Sequence, residues 1–279
     1  MMHTGAGSKS GPGLERMTTP ADYLDFAYRT ALAAGEVTLP HFRVPIAVVD
    51  KGVGGYDPVT AADRDAEAVI RAEIAKAFPE HGVRGEEHGH EPGRSPLTWV
   101  IDPIDGTRSF ITGQLHWGML VALNDGERVL CGLAHQPFVG ETFLAVAGGS
   151  ARWRRGAEER VLATRRCPEV ADAIVACTTP DMFTTPGSLA AFERVRAKAK
   201  LTRFGGDCYA YCLLAMGLID VVVESSLKAW DVQALIPIVE GAGGTLTSWD
   251  GGRCDEGGDV VACGDPALAP KVRALLAGR

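Results

Sequence analysis

The chain has 279 residues, of which 46% are hydrophobic and 23% are charged, and its formal net charge at pH 7 is -7. This composition is typical of a globular protein with enough chain for a large core. The acidic balance, without a basic stripe, argues against binding to nucleic acid. No run of 18 apolar residues is present, so no membrane-spanning helix is expected.

Residues 1–16 are rich in glycine and serine and have no apolar stretch of the signal-peptide type, so we expect a disordered tail. The seven cysteines are irregularly spaced, and several lie within apolar runs. This pattern predicts buried thiols in a reducing compartment, and the expected location is the cytoplasm. Cys208 and Cys212 are spaced for one helical face, but no second Cys/His pair at zinc spacing accompanies them, which favours core packing over metal binding.

The first half of the chain is predicted to contain two amphipathic helices and a set of strands. The first helix is expected from about Ala21 to His41, with Pro40 kinking or ending it, and the second is closed by Pro79. Strands are expected at 83–89 (with a turn), 97–102, 117–126, 128–137 and 141–149. The last three lie close together with turn residues between them, which predicts an antiparallel meander.

After Gly148 the pattern changes to strands that alternate with helices, which favours an α/β layer with buried strands. Strands are expected at 173–179, 201–206, 219–225 and 259–264, and helices at 188–200, 207–217 and 229–244. We therefore predict an N-terminal α+β domain at 17–149, which carries most of the acidic motifs described next, and a C-terminal α/β domain at 150–279.

Two aspartates end the strand predicted at 97–102. The stretch WVIDPIDGTRSF places Asp102 and Asp105 three positions apart, immediately before Gly106 and Thr107. Two carboxylates are tolerated at one strand end if a cation lies between them, and oxygen ligands suit Mg²⁺. The Ile104 carbonyl could face the same ion, and the amides that follow could hold a phosphate. For this motif alone, an Asx turn that caps a helix is the alternative interpretation.

Other acids accompany this motif. Glu86 and Glu87 form a GEE triplet, Asp231 begins an apolar helix in AWD, and the segment YDPVTAADRDAE contains Asp57 and Asp63. Taken singly, the glutamates could be a solvated loop, and Asp231 and Asp63 could be ordinary residues of helix starts.

As a set and in this order, GEE, WVIDPIDGT and AWD before EGAGG, with DPVTAAD upstream, resemble the motifs of the inositol monophosphatase superfamily. The resemblance runs from about Ala21 to the C-terminus. It implies a layered αβαβα sandwich and a lithium-sensitive, Mg²⁺-dependent phosphomonoesterase with two or three Mg²⁺ ions per active site, Mn²⁺ being an alternative. It also implies a homodimer.

The resemblance assigns roles to individual residues. The implied metal ligands are Glu86, Asp102, the Ile104 carbonyl, Asp105 and Asp231. Asp63 would support a more weakly held metal through water. Thr107 would pair with Glu86 to orient and deprotonate the attacking water, while the amides of Gly106 and Thr107 hold the phosphate oxygens.

The substrate is indicated by departures from the inositol enzymes. DGTRSFITG stands where those enzymes have DGTTNF, and GGDCYAY stands where they have GTA or GSA. With LKAWDVQALIPIVEGAGG, these segments resemble the histidinol-phosphate phosphatases, which act on L-histidinol phosphate. L-Histidinol carries an ammonium group and an imidazole, so acidic residues in the substrate pocket would help to bind it. Asp207 and Glu224 are the candidates for these contacts. Asp207 could instead cap a helix, and Glu224 is also a substrate residue in the inositol enzymes.

Several alternatives stay open from the sequence. Arg108 could contact phosphate or the partner subunit, or be a surface arginine. His81, His88 and His90 lie beside the acids, which permits a transition-metal site, although histidines in a glycine-rich loop are more often solvated. An inositol-1-phosphate phosphatase, a sugar or nucleotide phosphatase of broader specificity, and a non-catalytic protein of the same fold are the competing functions. The intact acidic set argues against the last.

Overall fold

The structure is a computed structural model that describes residues 19–52 and 58–278. The tail expected at 1–16 and the candidate Asp57 lie outside these residues. The described helices are α1 (Pro20–Thr38), α2 (Ala61–Ala77), α3 (Thr107–Ile111), α4 (Ser188–Arg196), α5 (Asp207–Ala215), α6 (Ala229–Val232), α7 (Leu235–Gly241) and α8 (Ala269–Leu276). Short 3-10 turns lie at Leu39–His41, Val170–Asp172 and Pro180–Met182.

The described strands form a two-stranded, an eight-stranded and a five-stranded sheet. They are β1 (Val49–Asp50), β2 (Pro58–Val59), β3 (Gly82–Gly85), β4 (Gly89–Glu91), β5 (Thr98–Asp105), β6 (Gly118–Asn124), β7 (Val129–Gln136), β8 (Glu141–Val146), β9 (Arg152–Arg155), β10 (Glu158–Val161), β11 (Ile174–Cys177), β12 (Leu201–Phe204), β13 (Val221–Lys228), β14 (Thr245–Ser248) and β15 (Gly257–Cys263).

The eight-stranded sheet has the order β10-β9-β8-β7-β6-β5-β3-β4, and only its β3–β5 pair is parallel among the described strands. The predicted meander of β6, β7 and β8 is confirmed. This sheet continues past Gly149, because β9 and β10 extend its edge. The division of the chain into two domains near Gly148 stays a prediction.

The five-stranded sheet has the order β12-β11-β13-β15-β14. Its β11 is parallel to both neighbours, whereas β15 is antiparallel to both of its own. Parallel β11 and β13 end at the same edge of the sheet, which is where ligands bind in sheets of this kind.

Three hydrophobic clusters join the sheets and helices into layers. One packs α1 and α2 against the outer face of the eight-stranded sheet, the second packs α5, α6 and α7 between the two sheets, and the third packs α4 and α8 against the outer face of the five-stranded sheet. The layered αβαβα sandwich is therefore confirmed. All seven cysteines are buried free thiols, as predicted. No helix among the described residues is both long enough and apolar enough to cross a membrane.

Proline residues shape two of the predicted helices. The first agrees with the expectation, since α1 ends at Thr38 and continues to His41 as a 3-10 turn that contains Pro40. The single helix predicted at 229–244 is instead two helices, α6 and α7, which meet around Gln233. Pro237 lies in the first turn of α7 and has no N–H to donate to the Gln233 carbonyl, so a continuous helix would lose that hydrogen bond.

Candidate active site

Strand β5 loses its regular pairing where the two aspartates lie. Asp102 pairs with Leu120, after which the register shifts and Asp105 stands opposite Gly118. The Ile104 N–H donates to Asp102 Oδ1 at 3.0 Å, so Asp102 does form the Asx turn considered above. The turn lets the carboxylates of Asp102 and Asp105 approach each other. An Asx turn and a metal-binding role for Asp102 are therefore compatible.

Gly106 follows with a φ of +85°, in the left-handed region that favours glycine. A β-carbon at this position would lie 2.7 Å from the main-chain oxygen of His116. The chain therefore needs glycine here for two independent reasons, and α3 begins at the next residue, Thr107.

Asp231 reaches the same place from the other sheet. It lies in α6, which follows β13, and its Oδ2 accepts the Lys228 N–H at 2.7 Å, as expected for an acid in the first turn of a helix. Carboxylate oxygens of Asp102, Asp105 and Asp231 all lie within 4.8 Å of one another. The structure thus brings together three of the five predicted metal ligands as a candidate metal cluster.

The electrostatics of these acids are unfavourable in the absence of a cation. Burial, followed by repulsion from neighbouring acids, raises the pKa values of Asp102 and Asp105 well above their usual range. Burial also raises the pKa of Asp231 to about 6 and that of Glu86 to about 7. Hard oxygen ligands at such short mutual distances fit a divalent cation such as Mg²⁺, which would relieve both the burial cost and the repulsion.

Lys51 and Glu67 hold the GEE turn, and neither was singled out from the sequence. The Lys51 Nζ lies 2.9 Å from Glu86 Oε1 and 2.9 Å from Glu87 Oε1. Behind the turn, the fully buried Glu67 carboxylate accepts the N–H groups of Glu87 at 2.8 Å and His88 at 3.2 Å.

The sequence did contain one signal for Glu67, since it lies four residues after Asp63 and therefore on the same face of α2. The Glu67 carboxylate also accepts a hydrogen bond from Arg71 Nε, at 2.7 Å. A β-carbon at Gly85 would lie 2.0 Å from Glu67 Oε1, so the turn packs directly against this carboxylate.

Asp63 lies at the start of α2 and also contacts Thr107, while its support of a metal through water stays a prediction. Its Oδ2 accepts the Thr60 N–H at 2.8 Å, which completes a capping box at the start of α2. Its Oδ1 lies 3.4 Å from the Thr107 hydroxyl, which also donates to the Ile104 carbonyl at 3.2 Å. The predicted pairing of Thr107 with Glu86 stays a prediction.

A cavity of about 340 Å³ opens beside the acidic cluster. Its lining includes most of the predicted site residues, namely Asp105, Gly106, Thr107, Arg108, Asp207, Glu224 and Asp231. Thr178, Tyr211 and Ser226 also line the cavity, and the sequence analysis missed all three. Tyr211 lies four residues after Asp207 on the same face of α5, which is the signal that could have identified it.

Glu224 lines this cavity and is buried, and burial raises its pKa to about 7. The Thr178 N–H donates to Glu224 Oε1 at 3.0 Å, the Thr178 hydroxyl donates to the same oxygen, and Tyr211 Oη donates to Oε2 at 3.0 Å. The Thr178 hydroxyl oxygen also accepts the Asp207 N–H at 3.1 Å. Thr178 therefore links the two predicted substrate acids, Glu224 and Asp207. Separately, the N–H of Cys208, the residue after Asp207, donates to Asp105 Oδ2 at 2.6 Å.

The three histidines near the GEE turn occupy separate environments. His81 Nδ1 accepts the Trp99 indole N–H at 3.1 Å, and His81 stacks on Phe78. His88 and His90 are exposed. The candidate metal cluster contains no histidine among the described residues, and Cys208 and Cys212 are buried in the hydrophobic core between the sheets.

Buried and half-buried acids that converge from a strand end and a helix start, beside a glycine-led turn suited to phosphate, define a metal-dependent phosphatase. The chain belongs to the inositol monophosphatase family, whose model matches residues 20–277, and it is a phosphoric monoester hydrolase. Relatives named histidinol-phosphatase and inositol monophosphatase are both found, so the family membership alone leaves the substrate open.

Three similar proteins show the range of activities named among the relatives of this chain. The bifunctional phosphatase IMPL2 of Arabidopsis thaliana is 41% identical over 223 residues, which are 79% of this chain and 62% of that protein. This chain therefore spans less than two thirds of the Arabidopsis protein. The histidinol-phosphatase of Chlorobaculum parvum is 35% identical over 254 residues, 91% of this chain and 96% of that one. The inositol monophosphatase structure from Zymomonas mobilis has a TM-score of 0.83 and 36% identity, and covers 93% of this chain and 99% of its own.

Proposed function

We propose that the protein hydrolyses L-histidinol phosphate to L-histidinol and phosphate, with Mg²⁺ as its metal. The observation that carries this proposal is the pair of acids in the cavity next to the metal cluster. Asp207 and Glu224 line the cavity beside Gly106 and Thr107, and Thr178 joins them. An ammonium group and an imidazole on the substrate would offset the burial of these carboxylates.

Different residues of the chain would bind the metal and activate the attacking water. Asp102, Asp105, Asp231, Glu86 and the Ile104 carbonyl would hold the metal. Bound there, Mg²⁺ supplies Lewis-acid chemistry, which lowers the pKa of water and offsets charge on the phosphate and the leaving oxygen. Glu86 and Thr107 would orient the attacking water and accept its proton at the Glu86 carboxylate.

The phosphate would be held by main-chain groups. The amides of Gly106 and Thr107 are available at the start of α3 to bind its non-bridging oxygens, where they would stabilise negative charge as it develops. Asp63 would keep Thr107 in position through the contact at 3.4 Å. Arg108 lines the same cavity and would add positive charge near the phosphate.

Inositol 1-phosphate is the second candidate substrate, supported by the similarity to the Zymomonas enzyme. Mg²⁺-dependent phosphate release, compared between the two substrates as kcat/KM, distinguishes them. We expect a preference for L-histidinol phosphate of about a hundredfold or more. Equal rates or the opposite preference would overturn the substrate assignment while leaving the phosphatase chemistry intact. A homodimer, which the family resemblance implies, is tested by light scattering.

A further inference from the structure

Asp207 packs directly against the turn proposed to hold phosphate. A β-carbon placed on Gly106 would lie 3.1 Å from both Cβ and Cγ of Asp207. The half-buried Asp207 carboxylate therefore lies next to the Gly106 main chain. A ligand whose phosphate lies at Gly106 would bring a cation on a neighbouring carbon close to this carboxylate.

The backbone of Asp207 is held in an uncommon conformation. Its φ of +43° is in the left-handed region, and only Arg43 and Ser226 share this feature among the described non-glycine residues. Ser226 lines the same cavity as Asp207. A non-glycine residue in this region is strained and persists where its surroundings determine its conformation, which is common at ligand sites.

Ser109 fixes the Asp207 carboxylate from the phosphate side of the cavity. The buried Ser109 hydroxyl donates to Asp207 Oδ2 at 2.7 Å, across 98 residues of sequence. Ser109 lies in α3, three residues after Gly106, so one short helix both follows the phosphate turn and holds the carboxylate. Burial raises the pKa of Asp207, whereas Ser109, His116 and Arg108 lower it and favour the charged form.

We propose that Asp207, positioned by Ser109, binds an ammonium group on the carbon next to the phosphate-bearing carbon. The site would then select phosphate monoesters of vicinal amino alcohols, a class that is wider than L-histidinol phosphate. This inference rests on the proposed phosphatase activity and on the placement of phosphate at Gly106. Ser109 acts through Asp207 and is a positioning residue.

Two pairs of substrates test the proposal, each differing in the amino group. The small pair is 2-aminoethyl phosphate and propyl phosphate, which have similar size but different charge. The large pair is L-histidinol phosphate and its deamino analogue, 3-(imidazol-4-yl)propyl phosphate. The quantity measured is the ratio of kcat/KM values within each pair, with Mg²⁺ saturating. Using a ratio removes any effect that a variant has equally on both members.

For the unmodified protein we expect a preference of about tenfold or more for the amine in each pair, as for a hydrogen bond between charged groups. Asp207→Asn should bring both ratios close to one. Ser109→Ala should lower both ratios by about threefold or more, and should add nothing further in the Asp207→Asn background. Ser188→Ala is the matched control, because it removes another buried serine hydroxyl, which bonds to the Thr185 carbonyl at 2.7 Å outside this cavity.

An unmodified protein without a preference for the amine would overturn the proposal, as would a preference that survives Asp207→Asn. If Asp207→Asn does not fold, Ser109→Ala alone decides, and an unchanged ratio in that variant counts against the proposal. Failure of the proposed function looks different, since L-histidinol phosphate would then be hydrolysed no faster than inositol 1-phosphate, whatever the ratios within the two pairs. Turnover of L-histidinol phosphate and its deamino analogue at equal rates would reject this inference alone.

Discussion

The carboxylate of Glu67 in α2 accepts the main-chain N–H of Glu87 at 2.8 Å, so a buried acid 20 residues upstream holds the GEE turn. The same carboxylate accepts the N–H of His88 and the side chain of Arg71. Glu86, a predicted metal ligand, lies immediately before these two N–H groups. Its position therefore depends on a residue that the proposed chemistry does not otherwise use.

Glu67→Gln should weaken metal binding more than it weakens the fold. The amide would keep one acceptor oxygen but lose the charge that pairs with Arg71, so the GEE turn would be held less firmly. We expect the Mg²⁺ concentration for half-maximal activity to rise about tenfold, as for loss of a group that orients metal ligands. A Mg²⁺ titration of phosphate release measures this. Glu73→Gln on the same helix is the control, and equal titration curves for all three proteins would contradict the expectation.

Gly85→Ala should disturb the same turn by steric means. The new β-carbon would fall 2.0 Å from Glu67 Oε1, and three hydrogen bonds prevent that carboxylate from moving aside cheaply. We expect the free energy of unfolding to fall by about 2 kcal/mol or more. Urea unfolding measures the change. Gly264→Ala, whose β-carbon would meet only ordinary contacts from 3.5 Å, should cost clearly less.

Asp102→Asn should abolish activity while the protein stays folded. The substitution removes a predicted metal ligand but also one of several mutually repelling buried charges, and the amide oxygen can still accept the Ile104 N–H. We expect a loss of kcat of about a thousandfold or more. Thermal unfolding in EDTA should give a Tm no lower than that of the unmodified protein. A variant that fails to fold would reject the view that repulsion dominates at this position.

The metal-free protein should become less stable as the pH rises through the acidic and neutral range. The pKa values of Glu86 and Asp231 are raised to about 7 and about 6 in the folded state, above their ordinary values near 4 in the unfolded chain. Between these limits the folded state binds more protons than the unfolded state, so deprotonation lowers stability as pH increases. The Tm in EDTA should therefore be higher at pH 5.5 than at pH 7.5.

Mg²⁺ should reverse this trend, because the cation binds the deprotonated acids of the folded state. The increase in Tm on adding Mg²⁺ should be larger at pH 7.5 than at pH 5.5. Asp102→Asn should reduce that increase at both pH values. An EDTA-treated protein whose Tm rises steadily from pH 5.5 to 7.5 would show that the acids are not the main titrating groups.

The sequence predicted the layered fold and the convergence of Asp102, Asp105 and Asp231 because these depend on motifs that can be compared as a set. It did not predict the residues that hold those motifs in place. Ser109 meets Asp207 across 98 residues, and Thr178 meets Glu224 across 46. Such contacts are set by how the helices and sheets pack, and no local periodicity or spacing records them.

The capping and turn roles of the acidic residues do not exclude a role in the candidate site, although the sequence presented them as alternatives. Asp63 completes a capping box, Asp231 accepts the Lys228 N–H at the start of α6, and Asp102 forms an Asx turn, yet each also faces the candidate site. A capping role and a ligand role use different oxygens or different electron pairs of one carboxylate, so the two can coexist. Residue type and spacing alone therefore could not separate them.

The acidic cluster takes its members from β5 in one sheet and from α6 beside the other. A ribosome-bound chain that has not yet emerged past Ala229 lacks Asp231, and one whose sheets have not docked keeps its carboxylates apart. Catalytic competence should therefore appear only after Asp231 has emerged and the two sheets have docked. A nascent or partly unfolded molecule would be unable to consume the cell's phosphate esters, and recovery of turnover after refolding would report completed assembly of both sheets.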